Sequence, residues 1–246
     1  HAAGKAHSIP KNEREAQEFF RVNVSGTANL LKGLDQNKNL PDSFVFISSV
    51  SVYGLDSGEE INESAPLLGS SPYAESKIEA EKLVREWGEK WNVPVLILRL
   101  PLLIGAENPK GNLNSLLKGI RSGFYFRPGR GDAKKSMVLA DDVAKLIARL
   151  NQMAGTYNLT DGFDPTFAEL DSHLAASMGK RVKSIPQVLL ATLAKIGDFI
   201  PLFPFNSQKF KKMTATLTFS DQLAREKLAW SPRRVIDAID QDFGKG

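Results

Sequence analysis

Residues 44–49, Phe44-Val45-Phe46-Ile47-Ser48-Ser49, form an apolar run that ends in two hydroxyl side chains. A short run of this kind predicts a parallel strand that is buried on both faces. It is followed by a predicted helix at about 72–91 and by a second apolar run at 93–100, which predicts another buried strand. Strand, helix and strand in this order are typical of a βαβ unit, and therefore the sequence predicts an α/β fold.

The alternation of helices and strands extends on both sides of this unit and ends near residue 160. A helix with an apolar face is predicted at 13–34, a surface loop at 53–72, and almost only helix after residue 166. Between the loop and the helical region we predict further short elements at 112–122 (helix), 136–139 (strand), 140–153 (helix) and 156–159 (strand). The expected architecture is a parallel sheet followed by a mostly helical lobe.

The composition argues against several classes of site. The chain has 246 residues, no cysteine and a formal net charge of +4. Without cysteine there is no disulfide, thiolate metal site or cysteine nucleophile, and the sequence contains no cluster of zinc-type ligands, so we expect no metal. A reducing, cytoplasmic location fits this composition. The charge excess is small and dispersed, and we expect no nucleic-acid partner.

The most apolar segment near the C-terminus, residues 188–205, contains Lys195, Asp198 and two prolines. It is therefore a poor match to a membrane span, which needs about 20 apolar residues. We predict an amphipathic helix at 187–199 that packs on the C-terminal lobe. A role of this helix at a membrane surface is the alternative.

Tyr73 and Lys77 lie four positions apart near the start of the predicted helix, and therefore on one helix face. A tyrosine with a reference pKa of about 10 is a poor general base, and a neighbouring cation lowers this pKa by stabilising the phenolate. On its own, such a pair also occurs on solvated helix faces. Ser49, however, stands at the carboxyl end of a predicted parallel strand, where ligands bind in open α/β sheets, so we expect its hydroxyl beside Tyr73.

Two motifs resemble the paired active-site motifs of the extended short-chain dehydrogenases/reductases, the NAD-dependent epimerase/dehydratase family. They are Ser48-Ser49-Val50-Ser51-Val52-Tyr53-Gly54 and Ser71-Pro72-Tyr73-Ala74-Glu75-Ser76-Lys77. Four further segments resemble motifs of this family and occur in the same order as they do. They are His1-Ala2-Ala3-Gly4, Asn23-Val24-Ser25-Gly26-Thr27, Arg99-Leu100-Pro101 and Leu228-Ala229-Trp230-Ser231-Pro232. The chain looks most like the UDP-glucose 4-epimerase-type enzymes of polysaccharide synthesis. The resemblance implies that Ser49, Tyr73 and Lys77 are catalytic.

The resemblance also implies a bound NAD, or alternatively NADP. Its contacts are expected from Ala2, Ala3, Gly4, Asn23, Ser48, Tyr73, Lys77 and Pro101. The glycine-rich turn that cradles the pyrophosphate at a helix N-terminus is absent from this sequence. Two βαβ units of about 30 residues each would carry it, so we expect roughly 60 to 80 residues before His1, and we expect a fragment without them to be inactive.

The fold implied by the resemblance is an α/β, NAD(P)-binding Rossmann fold that is N-terminally incomplete and has a smaller, mostly helical substrate-binding lobe. The dinucleotide-binding domain is assigned residues 1–104 and 134–165, and the nucleotide-sugar-binding lobe is assigned residues 105–133 and 166–246. Relatives often dimerise through two long helices. A homodimer through the helices at about 13–34 and 72–91 is therefore expected.

The residues after Ser49 bear on the reaction. Family members that eliminate water from the sugar carry an acidic pair directly after the catalytic serine or threonine, where this sequence has Val50 and Ser51, so a 4,6-dehydratase is not expected. A 4-epimerase acting on UDP-glucose or a UDP-N-acetylhexosamine needs only the three catalytic residues and NAD. Tyr73 then takes the C4 hydroxyl proton as hydride leaves C4. The alternatives are an NAD(P)H-dependent 4-keto-sugar nucleotide reductase and a non-catalytic dinucleotide-binding protein of the same fold.

The expected partner is a UDP-sugar substrate, contacted by Ser49, Val50, Asn112 and Lys135. Residues 108–113 and 134–138 look like the segments with which UDP-sugar epimerases reach the diphosphate. Lys135 stands where relatives commonly carry arginine, and it supplies charge without the bidentate fork of a guanidinium.

Overall fold

The computed structural model describes residues 1–6, 10–36, 39–105, 112–199 and 206–242. Within these ranges, the side chains of residues 112, 113, 208, 209, 212 and 239–242 are not described. The strands are β1 (Phe44–Ser49), β2 (Gly58–Ile61), β3 (Val95–Leu100), β4 (Leu102–Ile104), β5 (Phe126–Pro128), β6 (Met137–Leu139), β7 (Gly155–Asn158), β8 (Lys183–Ile185) and β9 (Leu217–Phe219).

The first helical segment consists of α1 (Glu13–Phe19), a π-helical stretch (Phe20–Ser25) and α2 (Gly26–Asp35). A 3₁₀ turn (Val50–Tyr53) follows β1. The other helices are α3 (Pro72–Trp91), α4 (Asn112–Ser122), α5 (Ala140–Arg149), α6 (Phe167–Ser177), α7 (Gln187–Phe199), α8 (Ser207–Thr214), α9 (Gln222–Leu228) and α10 (Val235–Asp242).

The central sheet is parallel, with the strand order β1-β3-β7. Its register places Ser49, at the carboxyl end of β1, beside Leu100 of β3. The start of the chain runs along the other edge of β1, where the Ile47 N–H donates to the His1 carbonyl oxygen over 3.1 Å. The predicted βαβ arrangement of β1, α3 and β3 is confirmed.

Both faces of this sheet are covered by helices. Phe46 and Ile97 pack on one face with residues of α2 and α3, including Leu31 and Trp87. The other face packs against α5 and α9 in a cluster that includes Leu96, Leu98, Val143, Leu146, Leu228 and Trp230. Because successive strand residues point to opposite faces, a strand covered on both sides has consecutive apolar residues, as at 44–47 in β1 and 95–98 in β3.

α3 begins and ends at residues whose chemistry suits a helix terminus. The Ser71 hydroxyl oxygen accepts a hydrogen bond from the Ala74 N–H over 3.2 Å. Pro72 occupies the first turn, where backbone N–H groups have no partner within the helix, so a residue without an N–H loses no helical hydrogen bond. Asn92 ends the helix in a left-handed conformation with φ of 54°. The predicted limits of this helix are confirmed.

A second core lies between β4, β6 and the helices α4, α6 and α10. It includes Ile104, Leu117, Ile120, Met137, Leu139, Leu170, Leu174 and Val235. The short strands form parallel pairs, β4 with β6, β5 with β8, and β2 with β9. The C-terminal part of the chain also returns to the central sheet, because α9 packs on the sheet face described above. The assigned domain limits stay a prediction.

One expectation about secondary structure is wrong, because β2 lies in the segment predicted as a surface loop. After residue 166 the predicted helices are present as α6 to α10, and the short strands β8 and β9 lie between them. Strands of three or four residues are too short to show a periodic pattern, and each of these pairs with a strand far along the chain. Their existence therefore depends on the tertiary fold.

Candidate active site

Ser49 and Ser48 end β1 and bond to different partners. Ser49 begins the 3₁₀ turn, where its hydroxyl oxygen accepts a hydrogen bond from the Ser51 N–H over 3.2 Å, and it is also hydrogen-bonded to Tyr73. Ser48 is buried and donates its hydroxyl to Glu81 Oε1 over 2.6 Å. The side chain of Ser48, predicted as a cofactor contact, is instead bonded inside the protein, because neighbouring strand residues point in opposite directions.

Tyr73 lies in the first turn of α3. Its ring packs against the ring of Phe19, with 6.0 Å between centroids and 60° between planes. Burial raises the pKa of Tyr73 above its usual value, and the hydrogen bond with Ser49 opposes this rise. The predicted contact between Ser49 and Tyr73 is thus present in the structure.

Lys77 lies one turn further along α3 and is buried. Its ammonium donates to the Ile47 carbonyl oxygen over 2.8 Å and stands 4.7 Å from the centroid of the Phe46 ring. Burial lowers the pKa of Lys77 to about 8, and the nearby negative charge of Glu81 partly opposes this change. At neutral pH the side chain is therefore mostly charged but close to titration.

The expected lowering of the pKa of Tyr73 is not found. Sequence spacing predicts that Lys77 stabilises the phenolate, whereas the structure turns the ammonium towards β1, and burial raises the pKa of Tyr73. The free-energy cost of burying a phenolate is larger here than the stabilisation that the hydrogen bond with Ser49 provides. The phenol is the favoured form of Tyr73 in the free protein.

Asn23 joins the start of the chain to α3. It is buried in the π-helical stretch, accepts a hydrogen bond from the Lys5 N–H over 2.7 Å, and donates to Ser76 Oγ over 2.9 Å. This bonding holds Gly4 so close that a Cβ on it would lie 3.1 Å from Asn23 Oδ1 and 3.4 Å from Lys77 Nζ. π-helical stretches are frequent at functional sites, and this one brings an exposed backbone segment next to Lys77.

A buried polar network lies beneath these residues. Glu81 accepts two hydrogen bonds from Arg99, of 3.0 and 2.7 Å, and one from Arg85 over 2.8 Å. Arg99 also donates to Tyr53 Oη over 3.0 Å, and Tyr53 donates to Asn158 Oδ1 over 2.8 Å. Burial acts to raise the pKa of Glu81, but the bonds and charge of Arg99 outweigh it, so the pKa is lowered and the carboxylate is ionised.

This network was not predicted as part of the site, although two signals point to it. Glu81 follows Lys77 by one helical turn and thus shares its helix face. Arg99 is a charged residue within the apolar run of β3, where a buried charge requires a partner.

The remaining predicted contacts are more scattered. Val50 is half-buried against the cluster of Val52, Tyr53 and Phe219, and Pro101 lies half-buried between β3 and β4. Lys135 is paired through its backbone with Leu217. Residues 108–111 and the side chain of Asn112 lie outside the described residues. Within the described ranges, no group of three or more His, Cys, Asp or Glu side chains is arranged to hold a metal ion.

A model of the NAD dependent epimerase/dehydratase family matches residues 1–159 of the chain. Among characterised sequences, the N-acetyl-alpha-D-glucosaminyl-diphospho-ditrans,octacis-undecaprenol 4-epimerase of Escherichia coli O157:H7 is 33% identical over 240 residues. That match covers 91% of this chain and 70% of the E. coli protein.

Two solved structures are similar over nearly the whole chain. The UDP-glucuronic acid 4-epimerase from Bacillus cereus, in complex with UDP-glucuronic acid and NAD, has a TM-score of 0.73 at 20% identity and covers 98% of this chain and 72% of its own. RMD from Pseudomonas aeruginosa, complexed with NADPH, has a TM-score of 0.73 at 23% identity and covers 99% of this chain and 80% of its own. The predicted α/β fold of Rossmann type is confirmed.

Proposed function

The chain belongs to the NAD-dependent epimerase/dehydratase family, and we propose that it catalyses NAD-dependent epimerisation at C4 of a sugar linked to a diphosphate. The observation that carries this proposal is the hydrogen-bonded pair of Ser49 and Tyr73 beside the buried Lys77 at the carboxyl end of β1. The name of the E. coli relative, a 4-epimerase, supports this choice among the reactions of the family. The proposed sugar is a glucose or N-acetylhexosamine, carried by UDP.

The surroundings of Lys77 fit a nicotinamide dinucleotide. Gly4 leaves open the space that a Cβ would fill beside Asn23 and Lys77, and residues 2–4 expose backbone next to that ammonium. Exposed backbone with small side chains lets a ligand approach closely. Ala2, Ala3 and Gly4 would hold NAD together with Tyr73, Lys77 and Pro101, while Asn23 would keep residues 4–5 in place. When bound, NAD accepts a hydride from the sugar and returns it.

The chain's own residues handle the proton in this mechanism. Tyr73 Oη accepts the proton of the C4 hydroxyl as the sugar is oxidised and donates it back as the sugar is reduced. The Ser49 hydroxyl donates a hydrogen bond to the reacting oxygen. Because the pKa of Lys77 is about 8, its ammonium is mostly charged at neutral pH, but in the free protein it donates to the Ile47 carbonyl oxygen and does not lower the pKa of Tyr73. The proposed mechanism therefore requires the ammonium to turn towards Tyr73 when NAD and the sugar are bound, where it would stabilise the phenolate. Because burial raises the pKa of Tyr73, the phenol is its favoured form, and this phenol is the proton donor in the reduction half of the cycle.

Contacts to the rest of the substrate are proposed for Val50, Asn112 and Lys135. The Lys135 ammonium supplies a positive charge for the diphosphate. Val50 and Ser51 follow Ser49 in the 3₁₀ turn, where an elimination of water requires an acid and a base. Neither side chain exchanges protons near neutral pH, which supports an epimerase over a dehydratase.

Two alternatives use the same fold. A 4-keto-sugar nucleotide reductase needs the same three catalytic residues and differs in the net consumption of NAD(P)H. A non-catalytic dinucleotide-binding protein needs none of them, and the intact bonding of Ser49 with Tyr73 beside Lys77 argues against it.

The test is a turnover assay on the full-length protein with UDP-glucose, UDP-GlcNAc, a polyprenyl-diphosphate-linked GlcNAc and a UDP-4-keto-6-deoxy-sugar. Sugar products and nicotinamide absorbance are followed together. Interconversion at C4 without net cofactor change is expected for at least one of the first three. Stoichiometric loss of NAD(P)H with the keto-sugar would identify a reductase. No reaction with any of the four substrates would overturn the proposed activity.

Replacement of Tyr73 by phenylalanine tests the proton-transfer role. Tyr73→Phe removes the hydroxyl that exchanges the proton, so kcat should fall by about 10²- to 10⁴-fold. Tyr157→Phe is the matched control, since that hydroxyl donates to the Ala154 carbonyl oxygen. A Tyr73→Phe protein that keeps the turnover of the control would refute the mechanism.

A further inference from the structure

α7 carries an apolar face that is open to solvent. Val188 and Phe199 are 76% and 87% exposed, and three more large side chains, Leu189, Leu193 and Ile196, are between 44% and 57% exposed. At about 100° per residue, these five positions fall within an arc of about 140° on one side of the helix. The opposite side carries the buried Ala194 and Gly197 and packs on the protein.

This face differs from the other exposed apolar residues of the described chain. Those are mostly single side chains on different elements, such as Leu30 on α2, Leu55 after the 3₁₀ turn and Phe163 after β7. Isolated apolar side chains are normal on a protein surface, whereas a contiguous set marks a binding surface. The expectation that the helix at 187–199 packs on the lobe accounts for its buried side alone.

The charge of the surrounding segment indicates what this face binds. Residues 180–214 contain one acidic residue, Asp198, and seven basic ones: Lys180, Arg181, Lys183, Lys195, Lys209, Lys211 and Lys212. The net positive charge of this segment exceeds that of the whole chain, which is +4. Asp198 is engaged by Ser207, whose N–H donates to it over 2.9 Å.

Exposed basic side chains lie on α7 and on segments next to it in the fold or in the sequence. Lys195 is exposed on α7 itself, and Lys211 is exposed on α8, which packs against α7. Lys180, Arg181 and Lys183 are exposed on the segment that leads into α7. An apolar arc bordered by cations matches the layered chemistry of an anionic membrane, in which phosphate groups lie above acyl chains.

We propose that the face formed by Val188, Leu189, Leu193, Ile196 and Phe199 docks on the anionic surface of a lipid bilayer. Among the described residues, none of the helices combines the length and the hydropathy of a membrane span, and α7, at 13 residues, is about 20 Å long. A helix of this kind lies in the headgroup layer with its apolar side towards the acyl chains. An interface with another protein would be expected to be poor in lysine.

The test is flotation of the full-length protein with vesicles of phosphatidylglycerol and phosphatidylcholine, compared with vesicles of phosphatidylcholine alone. The wild-type protein should float with the anionic vesicles, and less so at high salt because the ionic attraction is screened. Val188→Ser/Phe199→Ser should lower the partition coefficient about tenfold or more, since two large apolar groups no longer enter the membrane. Failure of the wild-type protein to float with the anionic vesicles would overturn the proposal.

Leu55→Ser is the matched control, because Leu55 is 39% exposed and lies outside the α7 face. It should float like the wild type, and both variants should keep the wild-type urea midpoint because the replaced side chains are exposed. Equal flotation of the double variant and the control would contradict membrane docking by α7. A change of oligomeric state in the double variant, measured by light scattering, would assign the face to a second copy of the chain. The measurement requires no turnover, so it stands apart from the proposed activity.

Discussion

Lys77 has the most constrained environment of the proposed catalytic residues. Its ammonium is held between the Ile47 carbonyl oxygen and the ring of Phe46, and burial lowers its pKa to about 8. Tyr73, one turn earlier, has its pKa raised by the same cause. Burial thus disfavours the charged form of both residues. A reaction that needs Tyr73 as phenolate and Lys77 as ammonium at the same time is therefore opposed by the burial of both side chains.

The depressed pKa of Lys77 predicts how stability depends on pH. Below about pH 8 the folded protein buries a charged ammonium, and between about pH 8 and the ordinary lysine pKa of 10.5 the folded form releases the proton while the unfolded form keeps it. The free energy of unfolding should therefore rise with pH over this interval. Lys77→Met should lack this rise and should be more stable than the wild type by about 2 kcal/mol at pH 7.

Urea unfolding of both proteins at pH 7 and pH 10 measures this difference. The advantage of Lys77→Met should shrink towards pH 10, and its turnover should be lost at both values because the ammonium is absent. A stability difference that stays constant between the two pH values would show that the proton of Lys77 is not linked to folding.

At the scale of the element, α3 positions both Tyr73 and Lys77 through its first turn. Ser71 caps this turn and Pro72 presets its backbone, so the place where the helix begins determines where the phenol stands relative to β1. The π-helical stretch positions the start of the chain in a similar way, because its Asn23 is hydrogen-bonded to both Lys5 and Ser76. Local capping and a local irregularity of a helix therefore set distances within the site.

Removal of the cap should affect stability and turnover together. Ser71→Ala leaves the Ala74 N–H without its partner and should cost about 1 kcal/mol of unfolding free energy. It should also lower kcat, because fraying of the first turn displaces Tyr73. Ser70→Ala is the control, since Ser70 is exposed and precedes the cap. The proposal for the cap fails if urea titration and turnover do not distinguish the two variants.

At the scale of the whole molecule, the buried network ties α3 to the sheet. Glu81 of α3 is bonded to Arg99 of β3, and Tyr53 carries the bonding on to Asn158 of β7. Asn158 in turn donates to the Ile61 carbonyl oxygen over 3.1 Å, so the network reaches β2. One set of hydrogen bonds thus joins segments more than a hundred positions apart in the sequence and supports the strand end and the helix that carry the site.

Glu81→Gln should destabilise the protein by about 3 kcal/mol, because it leaves the Arg99 guanidinium buried without a countercharge. It should also shift the loss of activity at high pH to a lower pH, since the charge of Glu81 raises the pKa of Lys77. Glu79→Gln, an exposed change on the same helix, is the control. Urea unfolding and a pH profile of kcat measure the two effects, and values equal to those of the control would argue against this role of the network.

The homodimer and the cytoplasmic location stay predictions at this scale. A surface of α7 that binds an anionic bilayer is compatible with both. Docking would place the protein at the membrane without a spanning helix among the described residues.

The parallel sheet and the proposed catalytic residues could be predicted from the order of the amino acids. The apolar runs in β1 and β3 and the limits of α3 follow from local chemistry, namely burial on two faces, a serine cap and a proline at the helix start. Ser49, Tyr73 and Lys77 could be predicted because β1 and α3 belong to one βαβ unit, so the spacing of the two motifs indicates that these residues lie close together. Short-range patterns suffice where the residues of a site belong to one βαβ unit.

The bonding partners of these residues could not be predicted in this way, because they depend on the folded arrangement. The bond of Ser48 to Glu81 and the direction of the Lys77 ammonium depend on how α3 lies across β1, and β2, β8 and β9 exist only because distant strands meet. The exposure of the α7 face likewise depends on which side of the helix the lobe covers. Burial and long-range pairing are properties of the folded whole, and a pKa or an open surface follows from them rather than from the order of the residues.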